Sequence, residues 1–284
     1  MTMDNKQPRI TVSISKEELA QLPMANFIGM VKVIDKVEDA AAAVADLKTS
    51  DVIGFDTETR PSFRKGVINR VSLMQLSTRK CCYLFRLNKI GIPEELRQLL
   101  EDPNQLKVGL SIHDDFHNIR NLCPLNPAGF IDLQPYVKQF SIADNSLSRI
   151  YGILFGKRIS KGQRLTNWEA EELTIHQQNY AALDAVACIR IYDCVSDGDF
   201  KPELSPYMRP EQENERIERE RREERERRQA EIAENPSISV EEAKEIEAKE
   251  RKKELAKRRR QRNARRRKRS GEAGAAPKAQ GGTE

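Results

Sequence analysis

The sequence predicts an α/β protein built on a mixed sheet, and three observations carry that prediction. Between residues 30 and 205, short runs rich in Val, Ile, Leu and Phe alternate with segments whose apolar residues recur at helical spacing. Two early runs, 68–77 and 81–87, stand so close that they read as a hairpin or meander, so antiparallel strands come first and parallel ones later. Composition then breaks near residue 210. Residues 1–210 hold 26 Lys+Arg and 26 Asp+Glu, whereas residues 211–284 hold 23 and 18, so the whole net charge of +5 lies in the last 74 residues. The neutral part keeps enough apolar residues for an ordinary core.

Taken in order, residues 1–29 read as an N-terminal extension. Thr11 to Ser15 is a short β-rich run, and Ser15 with Glu18 forms a capping-box pattern for a helix that Pro23 closes. A globular domain follows over 30–205: strand Met30–Ile34, an alanine-rich helix Val37–Leu47, and strand Val52–Thr59 after the turn residues Thr49, Ser50 and Asp51. The meander comes next, then helix Pro93–Leu100, strand Lys107–Ile112, helix Asp115–Leu122, strand Phe130–Leu133 and further helices. The last of these, Glu172–Tyr192, has apolar residues at helical spacing and reads as largely buried. A charged, largely helical tail covers 206–269, and the Gly/Ala-rich residues 270–284 read as disordered. Five cysteines with no C-x-x-C pair point to reduced thiols in a cytoplasmic protein, or a nuclear one in a eukaryote. The absence of any run of about 18 apolar residues argues against a membrane partner.

The strand Val52–Thr59 ends in two acids. Asp56 and Glu58 are two apart and so point to one face. Two carboxylates converging in a partly dry site repel unless a proton or a cation lies between them, and oxygen-only ligands suit Mg2+ or Mn2+. A solvated acidic turn fits these two residues equally well, so further acids decide. Asp114 and Asp115 close the next apolar strand, where ligand sites of α/β sheets gather, although one of them also suits a helix N-cap. His113 and His117 stand at i and i+4, but the intervening acid is Asp114 where the zinc-protease motif needs Glu. The first histidine also falls at a strand end, which speaks against zinc. On the last helix Tyr180 and Asp184 are four apart and share a face, and an ionised Asp on a buried helix needs a partner.

Taken together these residues resemble the 3′-5′ exonucleases of the DEDD superfamily, in the tyrosine-containing branch that includes ribonuclease D and the Werner-type exonuclease domain. Asp56-Thr57-Glu58 is similar to the first motif, Asp115 with Ile119 to the second, and Tyr180-x-x-x-Asp184 to the third. The segment Leu147 to Trp168, followed by Leu173 and Gln177, is similar to the stretch such enzymes carry before the third motif. Thr166 stands where the family commonly has serine. The resemblance covers about residues 30–200 and implies a ribonuclease-H-like (DnaQ-like) fold with helices flanking a mixed sheet. It also implies a two-ion site in which Asp56 bridges both ions, Glu58 and Asp184 complete the site that binds the attacking water, and Asp115 holds the second ion. Tyr180 would position the water. The implied reaction is stepwise hydrolysis of RNA or single-stranded DNA from the 3′ end. Arg64, Lys65 and Arg70 are candidate contacts to the substrate backbone.

In the tail, Arg and Glu interleave as far as Arg228 with opposite charges at helical spacing. Asn235-Pro236 interrupts them, and Ser239 with Glu242 restarts a helix. From Arg251 to Arg269 there are 13 basic residues against the single acid Glu254. Arg258, Arg259, Arg260, Arg265, Arg266, Arg267, Lys268 and Arg269 therefore form an electrostatic footprint for RNA or DNA phosphate, or for a ribosome or another nucleoprotein. A nuclear localisation signal is the other reading of that run. Two rival functions follow: a catalytically silent nucleic-acid-binding protein, and an adaptor that works through its charged helix.

Overall fold

In the computed structural model the described residues are 10–62 and 69–209, with the isolated helical residues 219, 222, 223, 226 and 227. Two compact units are distinguished, Met1–Ser62 with Val67–Arg221, and Phe63–Gly66 with Arg222–Glu284. Of the second unit only four residues are described, all helical, and Arg222 faces Glu226 at 3.9 Å one turn on. Arg64, Lys65, the basic residues from Arg258 to Arg269, the helix restart at Ser239 and the end 270–284 lie outside the described residues.

The first unit opens with β1 (Thr11–Val12) and α1 (Lys16–Gln21). Ser15 caps α1 in a complete capping box with Glu18. After β2 (Met30–Ile34) and a 3-10 turn at Val37–Asp39 come α2 (Ala40–Leu47) and β3 (Val52–Thr59). Next are β4 (Val71–Ser77), β5 (Cys81–Phe85), α3 (Leu87–Ile90) and α4 (Glu94–Glu101). The chain continues through β6 (Leu106–Gly109), α5 (Ile112–Arg120), β7 (Phe130–Asp132), α6 (Leu133–Lys138), α7 (Leu147–Phe155) and the 22-residue α8 (Ile175–Ser196). A 3-10 turn at Pro202–Leu204 leads to β8 (Met208–Arg209).

Six strands form one sheet in the order β2-β5-β4-β3-β6-β7, with β4 antiparallel to both neighbours and every other pairing parallel. This is the ribonuclease-H-like arrangement, in which the consecutive strands β3, β4 and β5 make a meander and β6 and β7 join through helices. Alternation along β3 separates the two sides. Ile53 and Phe55 face a core with α2, α4 and α5, where Phe55, Phe116 and Phe130 stack at 4.8–5.8 Å. Val52, Gly54, Asp56 and Glu58 face the other way, toward α8. That helix lies on the sheet because its inner face is small: Ala181, Ala182, Ala185 and Ala187 are buried, and a Cβ on Gly54 would meet the Ala185 carbonyl oxygen at 2.1 Å. Glycine at position 54 is therefore what lets helix backbone rest on strand backbone.

Several boundaries differ from the sequence reading. The strand read as Lys107–Ile112 ends at Gly109, because Ser111 turns the chain in the left-handed region (φ 63°) and caps α5. His113 therefore lies on α5 and not at a strand end, and neither Asp114 nor Asp115 is the N-cap. β5 stops at Phe85 because Leu87 already begins α3. The residues of the expected extension belong to the same unit: Val12, Ile14 and Ala25 are buried, and β1 pairs with β8 beyond residue 205. Arg209 ties that junction by donating to the Ser13 carbonyl and to the Glu18 carboxylate. All five cysteines are free. No helix among the described residues is long and apolar enough to cross a membrane.

Candidate active site

The site forms where β3 leaves the core. Asp56 and Glu58 project from it on the α8 face, and α8 passes over them so that Asp184, one turn beyond Tyr180, drops between the two. Ligand oxygens of Asp56, Glu58 and Asp184 all lie within 4.8 Å of one another, while Glu58 is 8% and Asp184 6% exposed. Among the described residues no comparable group contains His113 or His117.

Asp115 approaches from the opposite side of the sheet, on α5. Thr57 lies between Asp56 and Glu58 in sequence but points to that other face, and its hydroxyl donates to the Asp115 carboxylate. Asp114 is exposed, so of this acidic pair Asp115 is the one held against β3. The turn into α5 is fixed by Asp132, whose Oδ1 accepts from the Ser111 N–H at 2.9 Å and from the Gln134 N–H at 2.8 Å.

Electrostatics show what gathering these acids costs. Burial raises the Asp56 carboxyl well above the carboxylate range, with the charges of Asp184, Asp115 and Glu58 adding to it. Burial and then Asp184 push Glu58 up to about 9, against the lowering pull of Arg164. Asp184 is pushed up to about 7 by burial, although a hydrogen bond from Tyr180 and the charge of Lys161 oppose that. Asp115 rises to about 6 through burial, with the Thr57 hydrogen bond holding it back. The Tyr180 hydroxyl is likewise raised, first by burial and then by the neighbouring carboxylates. A buried, all-oxygen donor set of this kind fits a hard divalent cation, whose charge would relieve the repulsion.

The loop before α8 brings the two cations named above. Gln177, in the capping box with Thr174, donates to the Thr166 hydroxyl at 3.0 Å and to the Asn167 carbonyl at 3.1 Å. Either serine or threonine provides that acceptor, so Thr166 fills the family's serine position without loss. Trp168 is fully buried beside Tyr180, ring centroids 6.1 Å apart, which seats the tyrosine. Sequence reasoning placed substrate cations at Arg64, Lys65 and Arg70 and missed Lys161 and Arg164. Their signal was present in the segment Lys161 to Arg164, two cations just ahead of the pinned Thr166 and Trp168. Thr57 was also missed as a bridge to Asp115, although strand alternation puts it on the far face.

Comparison with known proteins gives a consistent result. The family model described as 3′-5′ exonuclease matches residues 31–196. The chain is 30% identical over 181 residues to the bifunctional 3′-5′ exonuclease/ATP-dependent helicase WRN of Mus musculus, covering 60% of this chain and 13% of that protein. To a 3′-5′ exonuclease of Arabidopsis thaliana it is 30% identical over 174 residues, covering 59% and 58%. The chain thus spans less than two thirds of the length of either relative. The solved Nibbler EXO domain of Aedes aegypti has the same fold, with a TM-score of 0.55 at 22% identity over 63% of this chain and 96% of that one.

Proposed function

We infer, from a chain that belongs to the 3′-5′ exonuclease family, that the carboxylate cluster is a hydrolytic centre. It removes nucleotides one at a time from the 3′ end of RNA or single-stranded DNA and releases nucleoside 5′-monophosphates. The observation that carries this reading is the convergence of Asp56, Glu58 and Asp184, three carboxylates, two of them buried, whose ligand oxygens lie within 4.8 Å of one another. Asp56, Glu58 and Asp184 would hold one Mg2+ or Mn2+, and Asp115, across β3, would contribute to a second. Such ions supply a nucleophile near neutral pH and neutralise charge on the leaving 3′ oxygen.

The protein groups do the rest. Tyr180, hydrogen-bonded to Asp184 and braced by Trp168, orients the attacking water. Burial and the neighbouring carboxylates raise its hydroxyl above the usual tyrosine range in the metal-free site, so there it serves as a hydrogen-bond donor. Lys161 and Arg164, whose charges already reach Asp184 and Glu58, meet the phosphate at the mouth. The tyrosine at position 180 supports a reading of the chain within the tyrosine-containing branch.

The test is digestion of a 5′-labelled single-stranded RNA and its DNA equivalent with Mg2+, with Mn2+ and with chelator, comparing wild type with Asp56→Ala. The expected result is a metal-dependent ladder shortening from the 3′ end that the variant lacks. If wild type binds the strands and shortens neither in any metal, the nuclease reading fails and a silent binding protein replaces it.

A further inference from the structure

Among the described residues, four buried side-chain atoms lack a hydrogen-bond partner: both ends of Gln75, Nε1 of Trp168 and Nε of Arg86. Arg86 still donates from its other nitrogens to the Ala170 and Glu171 carbonyls, whereas the Gln75 carboxamide is unpaired at both ends. Such a group, fully buried, is costly, and a leucine of similar size would fit the layer better. Its position suggests why it is there. In the β3–β4 ladder Gln75 is directly opposite Asp56, so both side chains point to the α8 face with Cβ atoms about 5 Å apart. Its other ladder neighbour, Leu84 on β5, is apolar, and Leu73, two residues along β4, is apolar too. Ser77, two residues the other way, already gives its hydroxyl proton to the Thr78 and Cys81 carbonyls. Asp56 is the charged acceptor within that ring. Trp168 lies in the same buried cluster as Leu73 and Leu84, with a donor and no acceptor. The two orphans are complementary, since one needs an acceptor and the other has one to offer.

We propose that Gln75 is a positioning residue for Asp56: its Nε2–H donates to the Asp56 carboxylate, and its Oε1 accepts from the Trp168 indole N–H, each link through one enclosed water. The relay joins the loop ahead of α8 to the carboxylate at the centre of the cluster and fixes which oxygen Asp56 turns toward the cation. This inference rests on the metal-binding reading of the site. It adds that the rear of the site is set by a neutral amide inside the sheet.

The experiment is calorimetric titration of the full chain with Mn2+, run on wild type, Gln75→Leu, Trp168→Phe and the double variant, beside thermal melts and the digestion assay. Gln75→Leu is expected to melt at or above the wild-type temperature, yet to need about 10–100-fold more Mn2+ and to lose kcat with KM for the oligonucleotide unchanged. Trp168→Phe should weaken Mn2+ binding less, and in that titration the double variant should match Gln75→Leu alone, because the indole N–H reaches the metal site through the amide. Should Gln75→Leu fail to fold, Gln75→Met carries the same titration. Mn2+ binding by Gln75→Leu equal to wild type, or losses of Mn2+ affinity that add in the double variant, overturn the proposal while leaving the nuclease reading intact. A wild type that binds Mn2+ and cuts nothing sinks the nuclease reading, and the titration still decides Gln75. A wild type that binds no Mn2+ removes both.

Discussion

Asp184 is held at 6% exposure against Asp56 and Glu58, so ionising it without a cation opposes its burial, and its charge raises the carboxyls of Asp56 and Glu58. The consequence is a linkage between pH and stability. Each of these carboxyls has a folded pKa above its unfolded value of about 4, so its stabilising contribution is complete below that value and is lost as pH rises through the folded pKa. With Asp115 near 6, Asp184 near 7 and Glu58 near 9, the metal-free protein should melt at progressively lower temperature from about pH 5 to pH 9. Saturating Mn2+ should flatten that decline. Asp184→Asn removes one charge that must be buried, and in chelator at pH 8 it should melt higher than wild type, by about 2–4 °C for each kcal/mol relieved in a unit of this size. The same variant should show no metal-dependent digestion. Gain in stability with loss of function is the signature of a site whose strain serves its chemistry; an Asp184→Asn protein less stable than wild type at pH 8 without metal would contradict this picture.

At the scale of elements, the site depends on how closely α8 approaches β3, and that distance is set by Gly54. A methyl group there would stand 2.1 Å from the Ala185 carbonyl oxygen and 3.0 Å from the Ile189 side chain, so the helix must lift. Gly54→Ala is expected to cost at least about 1–3 kcal/mol by overpacking, and to reduce metal affinity because Asp184, the residue before Ala185, is carried on the same turn; a melt paired with Mn2+ titration checks both. The sequence made much of this legible. The strand at 52–59 and the helix bearing Tyr180 and Asp184 were readable from periodicity, because both are long and their buried faces are strongly apolar. What could not be read was contact between elements. Nothing in the order of residues says that Gln75 stands opposite Asp56, since register across a meander is decided by the whole sheet. Local chemistry also overrode pattern at Ser111, where a non-glycine left-handed turn cut short an apolar run that looked like continuing strand. The convergence of three acids from β3 and α8 was expected only through family resemblance, because spacing alone fits a solvated turn equally well.

For the whole molecule, charge is partitioned: residues 1–210 are balanced, and the excess lies in residues 211–284, with 13 basic residues between 251 and 269. A carboxylate cluster repels a polyanion until cations enter, and among the described residues Lys161 and Arg164 are the cations whose charges reach Asp184 and Glu58. We propose that affinity for the strand comes chiefly from the tail while the cluster contributes cleavage. Counterion release makes this measurable, because the logarithm of affinity falls with the logarithm of salt by about 0.7 for each single-strand phosphate neutralised. Wild type in chelator and a chain ending at residue 210 should both bind a single strand, with the truncated chain showing a slope shallower by several units and a large loss of affinity at physiological salt. Digestion at low salt should persist in the truncated chain, since it keeps β8 (Met208–Arg209) and its pairing with β1. An unchanged slope would remove the tether and leave the basic run to a protein or nucleoprotein partner. A truncated chain that binds normally yet no longer cuts would mean that the tail acts on the catalytic step.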